Sequence, residues 1–158
     1  MKTKVGFIGQ GYIGKNYADD FEDRGYEVVR YALEEPYNGN GEELKDCDVV
    51  FIAVPTPTTP DGFDYSIVEG VLEKVGEGKL VVLKSTILPG TTKKIQEKHS
   101  DKVIFYSPEF LSEATAKNDA ANPFANIVGM AADDIAHKKG AELIHEILPS
   151  APYTPTGD

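Results

Sequence analysis

Along the chain, short apolar runs alternate with longer stretches in which apolar residues return every three or four positions, the order expected of βαβ units wound around a parallel sheet. The runs predict strands at Val5–Ile8, Val28–Tyr31, 48–54, Leu80–Leu83, Val103–Tyr106 and 127–130. The third is apolar throughout its interior, as suits a strand covered on both faces, and Pro55 ends it. Ile13, Tyr17, Ala18 and Phe21 fall on one helical face before Gly25 stops the first helix. Ile67, Val68, Val71, Leu72 and Val75 trace a second, with Asp64 as its expected N-cap and Gly76 and Gly78 closing it. Thr91–Lys98 and 133–148 read as further helices, and the tail 149–158 has room for one short final strand. Nothing resembles a repeat or an interdomain linker, so residues 1–158 are expected to form one α/β domain.

Composition narrows the functional classes. With 16 basic and 26 acidic side chains, the net charge of −10 repels a phosphate backbone. The cations do not cluster beyond Lys93, Lys94 and Lys98, so no nucleic acid partner is expected. The longest unbroken apolar run, 49–54, is far short of the roughly 20 residues that cross a bilayer, so no membrane partner is expected either. A chain of this length buries roughly 68–70% of its unfolded surface, enough for a core without disulfides. One thiol, Cys47, cannot form an internal bridge, and with no signal-like start the expected compartment is cytoplasmic. Asp46 and Asp48 flank Cys47 and would raise its thiol pKa, so it reads as structural. His99, His137 and His145 are too scattered for a metal site, and the latter two are expected at the surface or an interface of the last helix. No serine sits on a GxSxG elbow.

The first strand runs directly into Gly9-Gln10-Gly11-Tyr12-Ile13-Gly14, and a helix follows. In that context GxGxxG has a mechanical meaning. The first glycine makes the tight turn, the second lets backbone approach a pyrophosphate, the third lets helix and strand pack closely, and the helix N-terminus faces the anion. The fold expected is therefore a Rossmann-like, doubly wound, mostly parallel sheet with helices on both faces, and the ligand a dinucleotide. The acidic residue that usually binds the adenine ribose at the end of the second strand is replaced here by Ala32. Glu34 and Glu35 follow; they either reach back to the ribose or form a solvated acidic turn. Both repel a 2′-phosphate, and strand alternation turns Arg30 to the face opposite Tyr31, so NAD is expected rather than NADP.

Three later segments each leave the carboxyl end of a predicted strand. They are Val54-Pro55-Thr56-Pro57 with Asp64-Tyr65-Ser66, then Ser85-Thr86-Ile87-Leu88-Pro89-Gly90-Thr91, then Ser107-Pro108-Glu109-Phe110-Leu111-Ser112-Glu113. In a doubly wound sheet they converge on one crevice. Val54, Pro55 and Thr56 would line a cofactor's path, or form a stiff proline-rich connection. Thr86 could hold a water or a nicotinamide group; an N-cap role in that turn falls to Thr91. Glu109 and Glu113 are candidate bases in a crevice or solvated surface glutamates, and Phe110 is a ligand contact or plain core.

With Gly11-Tyr12-Ile13-Gly14 and the spacing of Ala116, Asp119, Pro123 and Gly129, these segments closely resemble the NAD-binding domain of the UDP-glucose/GDP-mannose dehydrogenase family, over nearly the whole chain. The resemblance implies cofactor contacts from Gly9, Gly11, Tyr12, Ile13, Gly14, Glu34, Val54, Pro55, Thr56, Thr86 and Glu113. It implies that Glu109 and Thr86 act on the water of a hydrolytic step, and that Phe110 and Leu111 touch substrate. The family oxidises the C6 alcohol of a nucleotide sugar to a uronic acid with two NAD, through a thiohemiacetal and a thioester on a cysteine. That cysteine and a lysine belong to a later domain, reached through a long central helix, and neither has a matching motif here. The resemblance therefore implies a chain that binds cofactor and is inactive alone, an excised domain or a naturally short protein, with a homodimer possible in the full-length form. Ser112 and Ala125 stand at or near common arginines of the family. A β-hydroxyacid or 6-phosphogluconate-type dehydrogenase fragment leaves Ser107-Pro108-Glu109 unexplained; a stand-alone non-catalytic dinucleotide-binding or assembly module remains an alternative.

Overall fold

The computed structural model describes residues 2–152. Eight strands and five α-helices follow in the order β1 (Val5–Ile8), α1 (Tyr12–Asp23), β2 (Val28–Tyr31), β3 (Val49–Ile52), β4 (Thr58–Thr59), β5 (Gly62–Phe63), α2 (Ser66–Val71), β6 (Leu80–Leu83), α3 (Thr91–Lys98), β7 (Val103–Tyr106), α4 (Ala116–Ala121), β8 (Gly129–Met130) and α5 (Ile135–Ile147). The main sheet runs β2-β1-β3-β6-β7-β8, parallel except for the two-residue β8, and β4-β5 is a separate hairpin. It is the Rossmann-like α/β architecture that the sequence predicts.

Alternation explains the two cores. Val5, Phe7, Val49, Phe51, Val82 and Phe105 face α1, α4 and α5, whereas Ile8, Val50, Ile52, Val81, Leu83 and Ile104 face α2 and α3. Phe7 and Phe51 stack with centroids 4.9 Å apart, and Phe21 of α1 tilts against both. Each such buried ring is worth about 1.5–3 kcal/mol, which fixes α1 against the first and third strands.

The four-residue parallel strands pair in step, Val5 beside Val28 and Val49, Val49 beside Leu80, and Leu80 beside Val103. Their carboxyl ends therefore stand level, and Gly9, Ala32, Ala53, Lys84 and Ser107 form the next row. Backbone bonds lace this rim: Gly9 to Tyr31, Ala53 to Ile8, Lys84 to Ile52, and Ser107 to Leu83, each N–H to carbonyl at 2.8–3.0 Å. The order reverses between β1 and β3, which opens a crevice there.

Several elements depart from the periodicity. The strand expected over 48–54 is in the sheet only as Val49–Ile52, because Val54 pairs with a side chain instead of a strand. The strand at 127–130 shortens to β8, and the helix over 133–148 to α5. The second helix stops at Val71 and continues as a 3₁₀ turn, Leu72–Lys74; its N-cap is Tyr65, while the Asp64 carboxylate accepts the Ser66 N–H at 2.8 Å. Thr91 caps nothing: Gly90 is the N-cap of α3, without a side-chain bond, and Thr91 is buried. The link from β2 to β3 is a 3₁₀ segment, Asn38–Asp46, whose Asn40 amide donates to the Arg30 carbonyl on the outer edge of β2. Nothing in residues 149–152 is a strand, and the rest of the expected tail strand lies outside the described residues. Among the described residues no helix is long and apolar enough to cross a membrane.

Candidate functional site

Two glycines of the first turn are demanded by backbone packing. Gly9 has φ +96°, and a Cβ on it would stand 2.2 Å from the Ala53 carbonyl oxygen. A Cβ on Gly14 would stand 1.9 Å from the Gly9 carbonyl oxygen. Together they bring α1 and β3 tightly against the turn. Gly11 differs, since a Cβ there would meet nothing within 4 Å. Gly11 is the N-cap of α1 with no side-chain bond and is itself exposed, so no side chain caps the first N–H groups of this twelve-residue helix. Such a helix end suits a diphosphate, and the turn therefore fits the dinucleotide the motif implies. Tyr12 is exposed and Ile13 half-buried beside it.

At the end of β2, Ala32 is buried at the rim and Leu33, Glu34 and Glu35 are exposed. Neither glutamate's carboxylate makes a hydrogen bond or ion pair among the described residues. Arg30 faces α1, opposite Tyr31, as alternation predicts. It is held by Asp19 at 2.6 Å and Glu22 at 3.0 Å, and donates to Gln10 of the glycine turn at 3.3 Å. Its cation is thus already paired by acids of α1.

Ser85 joins the loops after β3 and β6. Its hydroxyl accepts the Val54 N–H at 2.9 Å and donates to the Val54 carbonyl at 2.7 Å. Thr56 donates to the Thr86 carbonyl, a second tie between the same loops. Pro55 and the Thr86 side chain are left exposed above them. Thr56 and Thr86 are therefore brought together, with the donor of Thr56 already engaged.

Beyond β7, the Glu109 carboxylate is half-buried and accepts the Leu111 N–H at 2.7 Å. Asp119 of α4 accepts the Ser112 N–H and the Thr115 hydroxyl, which shapes the following loop and holds its carboxyl below the usual range. Glu113 is exposed on a shallow groove shared with Asn16 of α1. Phe110 and Leu111 line a cavity of about 160 Å³ behind this loop, together with Tyr17, Lys84, Ser107 and Phe124. Phe110 is 63% exposed, so it is not core.

Lys84 is the residue the sequence reasoning passes over. It is 4% exposed, donates to the Ser107 hydroxyl at 3.1 Å, and lies 4.5 Å from the Tyr17 ring centroid. Burial pushes its amine down to about 7, opposed by attraction to Glu109. Burial also raises Tyr17, helped by Glu109, Asp119 and Asp20. The signal available was position, a lysine directly continuing the apolar run of β6 at the rim.

Cys47 is fully buried and its thiol is pushed up to about 11 by burial, opposed by the Lys4 cation and helped by Asp48, Asp46 and Glu27. Such a thiol is a poor nucleophile. Of the surface or interface position expected for His137, the surface one does not hold. His137 is 4% exposed, with Nδ1 2.8 Å from Asp134 and Nε2 2.9 Å from Gln96. His145 is also partly buried, its imidazole lowered by burial and its Nδ1 without a partner among the described residues.

Comparison with known proteins adds three findings. Residues 37–148 match the model of the "UDP-glucose/GDP-mannose dehydrogenase family, NAD binding domain". The chain is 28% identical, over 96% of its length, to a UDP-glucose 6-dehydrogenase of Haloferax volcanii, and 37% identical, over 77%, to one of Streptococcus pneumoniae; it spans 46% and 33% of those proteins. The fold superposes with a TM-score of 0.81 and 26% identity on a UDP-glucose dehydrogenase of Pyrobaculum islandicum, covering 98% of this chain and 46% of that one. The chain thus spans less than half the length of the curated relatives it matches.

Proposed function

The chain belongs to the UDP-glucose/GDP-mannose dehydrogenase family as its NAD-binding domain, and from that premise we propose that it is the cofactor half of a nucleotide-sugar 6-dehydrogenase. The observation that carries this reading is the end of α1 at Gly11, exposed and capped by no side chain, beside the crevice between β1 and β3. Its N–H groups hold the diphosphate, with Gly9, Tyr12, Ile13 and Gly14 shaping the turn. Glu34 is assigned to the ribose. Its charge disfavours a 2′-phosphate, and Arg30, engaged by Asp19 and Glu22, does not offset it. Val54, Pro55 and Thr56 line the path across the rim, and Glu113 stands at its far side.

Bound there, NAD supplies a two-electron acceptor for an alcohol carbon. The chain's residues do the remaining work. Thr86 orients a water and Glu109 takes its proton, while Phe110 and Leu111 contact the nucleotide sugar. The cysteine nucleophile is assigned to a part outside these 158 residues, because Cys47 is buried and its thiol disfavours ionisation, and with it the central connecting helix and the rest of the nucleotide-sugar site. We expect this chain to bind cofactor and to turn over no sugar nucleotide alone. A second reading is a non-catalytic dinucleotide-binding module that assembles with another subunit.

Calorimetric titration of the chain tests the proposal. Saturable NAD⁺ binding, about tenfold or more tighter than NADP⁺, is expected from the acids after β2. Absence of binding by either dinucleotide overturns it. Turnover restored by mixing with the remaining domains of a relative distinguishes the enzyme half from the assembly module.

A further inference from the structure

Leu80, Val82 and Lys84 lie on one face of β6 and its extension, and Phe105 and Ser107 lie on the same face of β7 and its extension. Lysine thus takes the third place in an apolar row, roofed by α1 and α4. A buried amine with one neutral acceptor is costly, and a methionine or leucine would fill the place more stably. What the lysine adds is charge at one point. Its Nζ touches Tyr17 of the helix that presents the dinucleotide site, bonds Ser107 at the root of the turn that carries Glu109, and attracts the Glu109 carboxylate.

We propose that Lys84 is a positioning residue for Glu109: its ammonium, clamped between the Tyr17 ring and the Ser107 hydroxyl, draws the Glu109 turn against α1. This rests on Glu109 being the base of the proposed reaction. The clamp has two proton states. With the ammonium present, Lys84 donates to Ser107, the cation lies over the Tyr17 ring, and Glu109 is held by charge. When the proton leaves, the amine becomes an acceptor for the Ser107 hydroxyl, and both the cation–π contact and the hold on Glu109 are lost. The titratable groups facing this amine are Tyr17 on α1 and Glu109 past β7, and the Tyr17 hydroxyl in turn feels Glu109, Asp119 on α4 and Asp20 on α1. Burial lowers the Lys84 amine to about 7 and raises Tyr17.

The test is a pH titration of the 158-residue chain by NMR, following the Lys84 ε-methylene, the Tyr17 ring and the Leu111 amide, which reports on the Glu109 carboxylate through its hydrogen bond. All three are expected to move with one midpoint close to 7. Lys84→Met is expected to abolish that shared step, and Lys84→Arg to hold the Leu111 signal at its low-pH position across the range. A purely structural lysine would leave the Leu111 amide flat while its own signal titrates, and that result overturns the proposal. The wild-type titration decides the matter even if Lys84→Met does not fold. NAD⁺ titration of the same sample separates the two readings, since absent binding defeats the cofactor assignment without touching the shared midpoint.

Discussion

Gly11 and Gly14 separate two reasons for a glycine. Gly14→Ala drives a methyl to within 1.9 Å of a backbone oxygen that cannot step aside, and is expected to cost about 1–3 kcal/mol or more, read as a lower urea midpoint. Gly11→Ala meets no protein atom, so stability should change by at most about 1 kcal/mol. NAD⁺ affinity should nevertheless fall by about tenfold or more in calorimetry, because the new methyl stands where the diphosphate approaches. A Gly11 variant that loses stability but keeps affinity would reverse the assignment. The glycine spacing was legible because it answers a steric demand that any sequence with this turn must meet. Lys84 was not, because lysine ordinarily marks solvent, and here its burial depends on α4, a six-residue, alanine-rich helix with too little periodicity to announce itself.

Elements with a packing rationale were readable from their pattern, and those held by side-chain bonds were not. The strands Val28–Tyr31, Leu80–Leu83 and Val103–Tyr106 and the helix Thr91–Lys98 stand where the periodicity predicts. The hairpin β4-β5 and the 3₁₀ run Asn38–Asp46 have no apolar period, and the latter is anchored instead through Leu44 and the Asn40 amide. Of the site, the rim loops were visible as motifs, but the ties between them, Ser85 to Val54 and Thr56 to Thr86, were not, since hydroxyl partners leave no spacing rule. At the start of α5, Asp134 accepts the His137 N–H at 2.8 Å and also faces its ring, while His137 reaches Gln96 of α3. Asp134→Ala should cost about 1–2 kcal/mol in chemical denaturation, and Asp134→Asn should recover most of it by restoring the cap.

Stability of the whole molecule should depend on pH in two separate windows. Asp19, Asp101, Asp119 and Asp134 sit below their ordinary values because of hydrogen bonds and paired cations. The stability they contribute is present above the unfolded carboxylate range and is lost as pH falls through their folded values; Asp20, raised by burial, works in the opposite sense. Lys84 acts at the other end. Its folded amine lies near 7 and its unfolded one near 10.5, so between those values the unfolded chain binds more protons and stability rises with pH. Thermal unfolding is expected to show that rise in the wild type between about 7 and 9, below the range in which the raised Cys47 thiol works in the opposite sense, and to lack it in Lys84→Met; an equal rise in both would remove Lys84 as its source.

The sheet ends in two blunt margins. On one side β8 pairs with Phe105 and Tyr106 through only two residues, and on the other the Asn40 amide already occupies the Arg30 carbonyl of β2. A neighbouring chain therefore finds little free backbone ladder to add to, which guards against edge-to-edge aggregation and strand exchange. Assembly of this domain is expected to draw on its helices and rim loops, with the short β8 margin and the Asn40-bonded margin of β2 offering a neighbour little to pair with.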